Sequence, residues 1–373
     1  MNSDRYQRHS LIDWFSQEAV KASKFAIVGC GAVGNEVAKN LALLGAGHID
    51  LYDFDSIEIH NLTRSVLFRE KDVGGLKAEV AAERIKELDP NINVSAFVGD
   101  VWEEMSLDKA ASYNCIVCCV DNFEARIKLN QLCLITKTNL INTGIDSRFC
   151  QVEVFPFKST DCIACYECNL PNSAYERMQQ RYSCGWLKKI SFIEKKIPTT
   201  IVTSSLTGAL AASNALEMLK EVEVAVSKRI LVDSFSGKST VSTIEESCTC
   251  PGCSSLSESI SVLKGTALIQ GVFNLPSGCP DDCVVTSEPI LISTRCTSCN
   301  PTLESATVIF DKASKYDSSI NTCNQCGQES VEVVIKDSIS LSDLEQVFQG
   351  REFPCKYITF NANNQTFVVE MER

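Results

Sequence analysis

A glycine-rich turn near the amino terminus has the spacing of a nucleotide-binding loop. Its glycines are Gly29, Gly31 and Gly34; an apolar run precedes the turn, a helical pattern follows it, and a second apolar run then ends at Asp53. The backbone N–H groups of such a turn face phosphate oxygens, and an acidic side chain at the next strand end can hold a ribose hydroxyl. These residues predict a βαβ unit that binds a nucleotide, and the turn alone would suit NAD as well as ATP.

The residues beyond this unit favour ATP over NAD. Asp55 follows the second strand and leads into the segment with Asn61 and Arg64, which place an amide and a guanidinium group beside the phosphates. Lys77 comes after a Gly-Gly pair; it could be a solvated helix charge, and its place after the glycines favours a functional role. Asp121 directly follows an apolar run, so we expect it at the carboxyl end of a strand, where ligands bind in open α/β sheets.

The chain has twenty cysteines, which is a high number without an evident export signal, and metal ligation explains them better than disulfides. Four Cys-x-x-Cys turns form two natural sets: Cys165 and Cys168 with Cys250 and Cys253, and Cys296 and Cys299 with Cys323 and Cys326. Tetrahedral zinc is held by two such turns, each giving two thiolates. We therefore expect at least one structural zinc site, with Cys162 and Cys248 as competitors for places in the first set.

The composition limits the class of protein. The 373 residues are 45% hydrophobic, which suffices for two or three domains with a sizeable core, and no segment is apolar enough to span a membrane. The first ten residues lack the apolar core of a signal peptide. A formal charge of −12 argues against nucleic acid as the main partner. The sequence thus predicts a cytoplasmic protein with neither nucleic-acid nor membrane partners.

Alternating strand and helix patterns must position these residues. The apolar runs that predict strands lie near 25–28, 49–52, 94–97, 115–120, 139–142 and 150–155. This alternation favours a Rossmann-like α/β fold, a largely parallel sheet with helices on both faces. The alanine- and leucine-rich run at 199–220 predicts a long buried helix. The other elements expected are strands at 331–335, 356–360 and 366–371 and a helix at 341–348.

Together these motifs resemble the ATP-dependent adenylyltransferases of the ThiF/MoeB/HesA type, which activate ubiquitin-like proteins and sulfur carriers. The resemblance covers about residues 5–253, and the layout is closest to a compact ubiquitin-like-protein activating enzyme. The motifs that carry it, in family order, are Arg5-Tyr6-Gln7-Arg8, the turn at 29–34, Asp53-x-Asp55, Asn61-Leu62-x-Arg64, Lys77 after Gly74-Gly75, and Val120-Asp121-Asn122. The two distant cysteine turns, Cys165/Cys168 and Cys250/Cys253, fit the structural zinc of that family.

The resemblance implies a reaction and a site. The C-terminal glycine carboxylate of a ubiquitin-like β-grasp protein would attack the α-phosphate of ATP and expel pyrophosphate, so catalysis is mainly neutralisation and positioning. Asn61, Arg64 and Lys77 would contact the phosphates, and Asp121 would hold Mg²⁺. Arg8 matches the arginine that family dimers insert into the neighbouring subunit's site, which implies a homodimer; by itself Arg8 would be only surface charge.

Family members that pass their cargo to a conjugating enzyme carry a cysteine between the first zinc pair and the late helix. This cysteine takes the cargo as a thioester. Cys184 is the only cysteine in that interval, and the nearby Arg181, Lys188 and Lys189 would favour its reactive thiolate form. The resemblance therefore implies a thioester on Cys184, and the alternative is a packing or sulfur-transfer role.

The predicted domains follow these motifs. They are an adenylation domain at 1–253 with a catalytic-cysteine insertion at about 161–200, a linker at 254–262, a zinc-ribbon region at 263–329 and a ubiquitin-fold-like domain at 330–373. In conjugation-type activating enzymes such a tail docks the conjugating enzyme, and a small α/β appendage is an equal alternative. Three other functions stay open: a sulfur-carrier adenylyltransferase without a thioester step, an inactive scaffold subunit of a heterodimer, and an NAD-dependent oxidoreductase.

Overall fold

A computed structural model describes most of the chain, in two compact units. The described residues are 5–158, 164–171, 173, 198–220, 226–247, 249–254, 259–264, 283–299, 302, 306–316, 318–340, 354–362 and 365–370. The first unit comprises Met1–Asn169 and Lys196–Ser254, and the second comprises Leu170–Lys195 and Ser255–Arg373. Cys184 and the helix expected at 341–348 lie outside the described residues.

The first unit is built on an eight-stranded sheet. In chain order its strands are β1 (Lys24–Val28), β2 (His48–Tyr52), β3 (Asn93–Phe97), β4 (Cys115–Cys118), β5 (Asn139–Ile145), β6 (Phe149–Phe155), β7 (Lys228–Asp233) and β8 (Ser239–Thr243). Their order across the sheet is β3-β2-β1-β4-β5-β6-β7-β8. Strands β1 to β5 pair in parallel, whereas β6, β7 and β8 join as antiparallel strands. The prediction of a Rossmann-like, largely parallel sheet is confirmed.

Helices of the first unit connect and cover these strands. They are α1 (Gln17–Ala22), α2 (Ala32–Leu44), α3 (Lys77–Leu88), α4 (Val101–Glu104), α5 (Leu107–Ala111), α6 (Phe123–Thr136), α7 (Ile201–Glu217) and α8 (Pro251–Ser254). Apolar side chains of β1 and β2, such as Phe25, Ile27 and Leu51, are fully buried and form the core with α2 and α3. Among the described helices, none is long and apolar enough to cross a membrane.

Helix α7 confirms the long helix expected within 199–220, but it is only partly buried, which corrects the expectation that it would be buried. Its small residues, among them Gly208 and Ala211, face inward, and a Cβ at Gly208 would stand 2.3 Å from the Cβ of Glu36 on α2. This close approach lets α2 and α7 pack tightly. Val202 on the opposite side of α7 is 54% exposed. The apolar composition of the helix therefore did not imply complete burial.

The second unit contains a six-stranded sheet. Its strands are β9 (Ser259–Lys264), β10 (Cys283–Cys296), β11 (Thr307–Lys312), β12 (Val331–Ser340), β13 (Tyr357–Ala362) and β14 (Gln365–Glu370). The order is β11-β10-β13-β14-β9, and β12 also pairs with β10. The three tail strands expected from the sequence correspond to β12, β13 and β14. Strand β9 begins at Ser259, inside the segment 254–262 expected to be a linker, and it pairs in parallel with β14.

Candidate nucleotide site and cysteine clusters

The fold requires two of the three glycines in the turn between β1 and α2, and it leaves open space at the third. Gly29 has a φ of +91°, which favours glycine, and its N–H donates to the carbonyl of Tyr52 at 2.8 Å. A Cβ at Gly34 would lie 1.9 Å from the carbonyl oxygen of Gly29, whereas a Cβ at Gly31 would meet nothing within 4 Å. The fold therefore requires glycine at Gly29 and Gly34, while Gly31 faces open space that a ligand could enter.

Helix α2 begins at this open position. Gly31 is its N-cap residue, and because glycine has no side chain it cannot cap the N–H groups of the helix. The first N–H groups of a helix have no partner within the helix, and the helix dipole adds partial positive charge at the same end. An anion placed against Gly31 would receive these N–H groups, so the turn has the properties of a phosphate site.

Asp53, at the end of β2, forms a hydrogen bond to the glycine turn. One carboxylate oxygen accepts the N–H of Cys30 at 2.6 Å, and the other accepts the N–H of Asp55 at 2.8 Å. Burial raises the pKa of Asp53 above its ordinary value, and the two N–H groups and the Lys77 charge act in the opposite direction. Each oxygen retains acceptor capacity. The carboxylate can therefore accept a ribose hydroxyl while it holds the turn in place.

Lys77 and Asp55 are brought together by the start of α3. The Lys77 ammonium lies 2.6 Å from the Asp55 carboxylate, and the Lys77 N–H donates to the Asp55 carbonyl at 2.9 Å. The lysine side chain is 12% exposed and the aspartate side chain 53% exposed. The lysine is thus held close to Asp53 and the turn, rather than projecting freely into solvent as the alternative interpretation required.

Asn61 and Arg64 belong to a short 3₁₀ helix at Ile59–Thr63 and its end. The Asn61 side-chain oxygen accepts the N–H of Glu58 at 2.9 Å, which leaves the amide nitrogen for another partner. The Arg64 guanidinium donates to the carbonyl of His60 at 2.8 Å. Within the part of the chain that the structure describes, Arg64 has no carboxylate partner, so its charge is available to an anion.

Asp121 lies where the sequence predicted, just beyond β4. Its side chain is exposed, and it forms no hydrogen bond with any other described residue. The next residue, Asn122, is the N-cap of α6 and accepts the N–H of Ala125 at 2.8 Å. Because β1 and β4 are parallel neighbours, Asp121 and the glycine turn occupy the same edge of the sheet.

The sequence analysis missed Asn35, which joins two parts of this site. Its side-chain nitrogen donates to the carbonyls of Cys30 and Gly31 at 2.7 and 3.0 Å, and its oxygen accepts the N–H of Leu67 at 2.9 Å. Asn35 is fully buried. It therefore ties the glycine turn to the segment that follows Arg64. The sequence signal that could have identified Asn35 is its position as a polar residue on the apolar face of a predicted helix.

Arg8 is separate from these residues in the single chain. It is exposed and precedes the 3₁₀ helix His9–Leu11, and its side chain has no partner among the described residues. The segment around it is anchored, because Arg5 lies 3.1 Å from the Asp89 carboxylate and Tyr6 also bonds to Asp89. An insertion of Arg8 into a neighbouring subunit stays a prediction.

The first cysteine cluster unites the two distant turns of the first unit. The sulfur atoms of Cys165 and Cys250 are 3.6 Å apart, as are those of Cys168 and Cys253, and all four lie within 4.8 Å of one another. Four sulfurs bound tetrahedrally at the zinc–sulfur distance would be about 3.8 Å apart. The chosen cysteines therefore fit a zinc ion. The competitors Cys162 and Cys248 lie outside the described residues.

The second cluster belongs to the second unit and is more exposed. Cys296 and Cys326 are 3.7 Å apart, Cys299 and Cys323 are 3.6 Å apart, and all four sulfurs again lie within 4.8 Å. Each cluster has two buried cysteines, but the other two are exposed in the second cluster (Cys299 and Cys326) and only half-buried in the first (Cys168 and Cys253). Both clusters could hold zinc, and the second is the more accessible to solvent.

Comparisons with known proteins agree with this geometry. A SUMO-activating enzyme subunit 2 from Dictyostelium discoideum is 33% identical over 155 residues, which are 41% of this chain and 23% of the relative. A molybdopterin-synthase adenylyltransferase from Haemophilus influenzae is 29% identical over 236 residues, covering 62% of this chain and 90% of the relative. The chain spans about a quarter of the length of the SUMO-activating subunits that it matches.

Similarity extends to solved structures and to a family model. Escherichia coli MccB, crystallised with AMPCPP and MccA, has a TM-score of 0.55 and 27% identity, over 68% of this chain and 75% of MccB. The ThiF family model matches residues 5–254. That match contains the glycine turn, Asp53, Asp121 and the first cysteine cluster, and it confirms the resemblance drawn from the sequence motifs: this chain belongs to the ThiF family.

Proposed function

We propose that the chain uses MgATP to adenylate the C-terminal glycine carboxylate of a ubiquitin-like β-grasp protein. The observation that carries this proposal is the set of groups at one edge of the sheet. Asp53 is locked to the glycine turn, Lys77 is held beside it, Arg64 has no carboxylate partner among the described residues, and Asp121 is exposed. Two cations and a separate carboxylate beside the phosphates favour ATP over NAD, because an enzyme that expels pyrophosphate must stabilise the charge of that leaving group.

The reaction joins two anions. A carboxylate oxygen of the cargo forms a bond to the α-phosphorus, the bond from that phosphorus to the bridging oxygen breaks, and pyrophosphate leaves with both electrons of the bond. The product is an acyl-adenylate. Neither partner needs a proton removed, because the carboxylate is already ionised at neutral pH. The protein must therefore bring two negative groups together and stabilise the charge on the leaving group.

Each residue has a role in this proposal. The glycine turn and the start of α2 bind phosphate oxygens, and Asp53 accepts the ribose hydroxyls. Asn61, Arg64 and Lys77 contact the phosphates, with Asp55 holding Lys77 in place until they bind. Asp121 would hold Mg²⁺, a hard cation that prefers carboxylate oxygen and neutralises the departing pyrophosphate.

A homodimer would complete the site. Arg8 is exposed on an anchored segment and unpaired among the described residues, so it is available to reach ATP in a second copy of the chain. Its planar guanidinium could contact two phosphate oxygens at once. Zinc in the two cysteine clusters would act as a structural element, because a closed set of four thiolates leaves no open coordination position.

The proposed second step is a thioester. The thiolate of Cys184 would attack the acyl-adenylate, AMP would leave, and the cargo would then pass to a cysteine of a conjugating enzyme that docks on the ubiquitin-fold-like tail. The similarity to SUMO-activating subunits supports this step. The alternative is a sulfur-carrier adenylyltransferase that stops at the acyl-adenylate, and it is supported by the match to 90% of the Haemophilus influenzae enzyme.

ATP–pyrophosphate exchange tests adenylation. We expect exchange that requires a glycine-terminated β-grasp protein and depends on Asp121, so Asp121→Ala should reduce it to a small residual rate. Asp337→Ala, which removes an exposed carboxylate of the second unit, is the matched control and should exchange normally. Exchange at the wild-type rate in Asp121→Ala would remove Asp121 from the mechanism, and failure of the wild type to bind ATP would refute adenylation altogether.

The thioester step has its own test. A DTT-sensitive adduct between chain and cargo should form in the wild type but not in Cys184→Ala. It should also form in the control Cys279→Ala, which removes a cysteine that belongs to neither set of Cys-x-x-Cys turns. Adenylation should be intact in all three proteins. If Cys184→Ala still transfers cargo to a conjugating enzyme, Cys184 is not the nucleophile. If the wild type adenylates the cargo but forms no adduct, the sulfur-carrier alternative takes the place of the thioester step.

A further inference from the structure

A row of polar side chains, buried at its centre, runs across the sheet from the Asp121 turn to β7, the neighbour of the edge strand β8. Asn142 on β5 stands opposite Glu153 on β6, and Glu153 stands opposite Arg229 on β7. At the inner end of the row, Arg126 on α6 donates to the Asn142 side-chain oxygen at 2.5 Å. We call these four residues the Arg126 row, and the adenylation mechanism described above uses none of them.

Arg126 fixes the backbone that carries Asp121. Its guanidinium donates to the carbonyls of Val120 and Thr143, each at 2.5 Å, in addition to Asn142. Val120 precedes Asp121 directly, and Asn122, which follows Asp121, is held as the cap of α6. The Asp121 side chain therefore has no partner among the described residues, while the residues on both sides of it are held in place.

Glu153 orients the bridge between the two arginines. Its carboxylate is almost completely buried, at 2% exposure. One oxygen accepts the Asn142 amide nitrogen at 2.7 Å, and the other accepts Arg229 at 2.7 and 2.9 Å. Because Asn142 donates to Glu153, its amide oxygen must point toward Arg126. A buried carboxylate needs such partners, since an unpaired charge is strongly disfavoured away from water.

We propose that Glu153 is a positioning residue, which acts on Asp121 through Asn142 and Arg126. This inference rests on the proposed role of Asp121 in adenylation. With a glutamine at 153, the amide group can donate to Asn142, which lets the Asn142 side chain turn and present its nitrogen to Arg126. Two donors would then face each other, Arg126 would shift, and the turn that carries Asp121 would move with it. Displacements of about 1 Å can reduce a rate by about 100-fold.

Glu153→Gln tests the proposal, with Glu217→Gln as the matched control. Glu217 also pairs with a cation of β7, Lys228 at 2.7 Å, but belongs to the end of α7 and has no contact with the Arg126 row. In ATP–pyrophosphate exchange we expect kcat of Glu153→Gln to fall by about 10- to 100-fold, while KM for ATP changes by less than about 3-fold. Glu217→Gln should resemble the wild type.

A double variant separates positioning from general damage. If Glu153 acts through Asp121, exchange by Asp121→Ala/Glu153→Gln should equal the residual rate of Asp121→Ala within about 2-fold. A further loss in the double variant would indicate a separate effect and overturn the proposal. So would a kcat of Glu153→Gln that stays within about 2-fold of the wild type.

Hydrogen exchange gives a readout that does not depend on the reaction. Amides in a peptide covering 119–126 should exchange about 10-fold faster in Glu153→Gln than in the wild type, and Glu217→Gln should leave them unchanged. If the wild type adenylates nothing, this measurement still decides the positioning claim. Unchanged protection of 119–126, or equal acceleration in both variants, overturns it. If Glu153→Gln does not fold, Arg229→Met at the outer end of the row replaces it, with Arg229→Lys as the conservative rescue.

Discussion

Two glycines of the turn, Gly31 and Gly34, can be distinguished experimentally. The fold has no room for a larger residue at Gly34, whereas it has room for one at Gly31. A methyl group at Gly34 would stand 1.9 Å from the carbonyl oxygen of Gly29. Atoms in ordinary contact stay more than 3.0 Å apart, so the turn or α2 would have to move by about 1 Å. A methyl group at Gly31 meets nothing within 4 Å, and the φ of −75° there is one that alanine adopts.

Alanine at the two positions should therefore have different consequences. Overpacking of this kind costs about 1–3 kcal/mol, and for a unit of this size each kcal/mol lowers Tm by about 2–4 °C. We expect Gly34→Ala to lower Tm by about 2–12 °C. Gly31→Ala should keep or slightly raise Tm, since a Gly-to-Ala change at a compatible position stabilises by about 0.4–1 kcal/mol through the unfolded chain.

For ATP affinity the order should be reversed, with Gly31→Ala more damaging than Gly34→Ala. The new methyl group of Gly31→Ala would occupy the space from which phosphate approaches the N–H groups of α2. Loss of one charge-assisted hydrogen bond, about 1.5–3 kcal/mol, weakens binding by about 10- to 150-fold. Circular dichroism melts and isothermal titration with MgATP measure the two quantities. Wild-type ATP affinity in Gly31→Ala would refute the close approach of phosphate, and an unchanged Tm in Gly34→Ala would refute the rigidity of the turn.

Three further predictions concern single charges and the cysteine clusters. Arg64→Gln should raise the Kd for ATP by about 10- to 150-fold yet change the free energy of unfolding by less than about 0.5 kcal/mol, because Arg64 has no carboxylate partner among the described residues; equal affinity in a titration would contradict this. For Asp72, burial would raise the pKa, but the N–H of Arg69 and the guanidinium of Arg84, 3.0 Å away, outweigh it and lower the pKa below its ordinary value. The ionised form is thus favoured in the folded state, so the stability difference between wild type and Asp72→Asn in urea should be full above about pH 4 and vanish as pH falls further; a difference that persists in acid would be the contrary result. Metal analysis should find two zinc ions per chain, with Cys250→Ser and Cys299→Ser each removing one, and a mild chelator should strip the second cluster first because Cys299 and Cys326 are exposed.

Much of the candidate nucleotide site could be predicted from the sequence because its signals are local. The glycines, Asp53 and Asp121 stand at strand ends, and apolar runs of four to six residues define those ends even when the fold is unknown. The cysteine clusters were equally predictable, since a tetrahedral site needs two Cys-x-x-Cys turns and the chain has two matching sets.

The remaining features depend on contacts between distant segments. Asn35 meets Leu67 across 32 positions, and Arg229 meets Glu153 across 76. No local pattern marks such partners, because a buried polar side chain can be satisfied from any direction. The exposure of Val202 could not be predicted for a similar reason. The composition of α7 shows that the helix can be buried, but only its packing against α2 decides which side of the helix is buried.

The buried thiols of the core should reduce the number of cysteines that react with alkylating reagents in the folded protein. Burial raises the pKa of the buried Cys30, Cys115, Cys118, Cys133 and Cys150 and of the partly buried Cys119, so these thiols stay protonated at neutral pH. Alkylating reagents attack the thiolate, and metal-bound thiolates of closed sites react slowly. In the folded, zinc-loaded protein, native alkylation should therefore be confined largely to cysteines outside these two groups, Cys184 among them. A chain with twenty cysteines would then behave, toward a fluorescent maleimide, as a protein with only a few addressable positions.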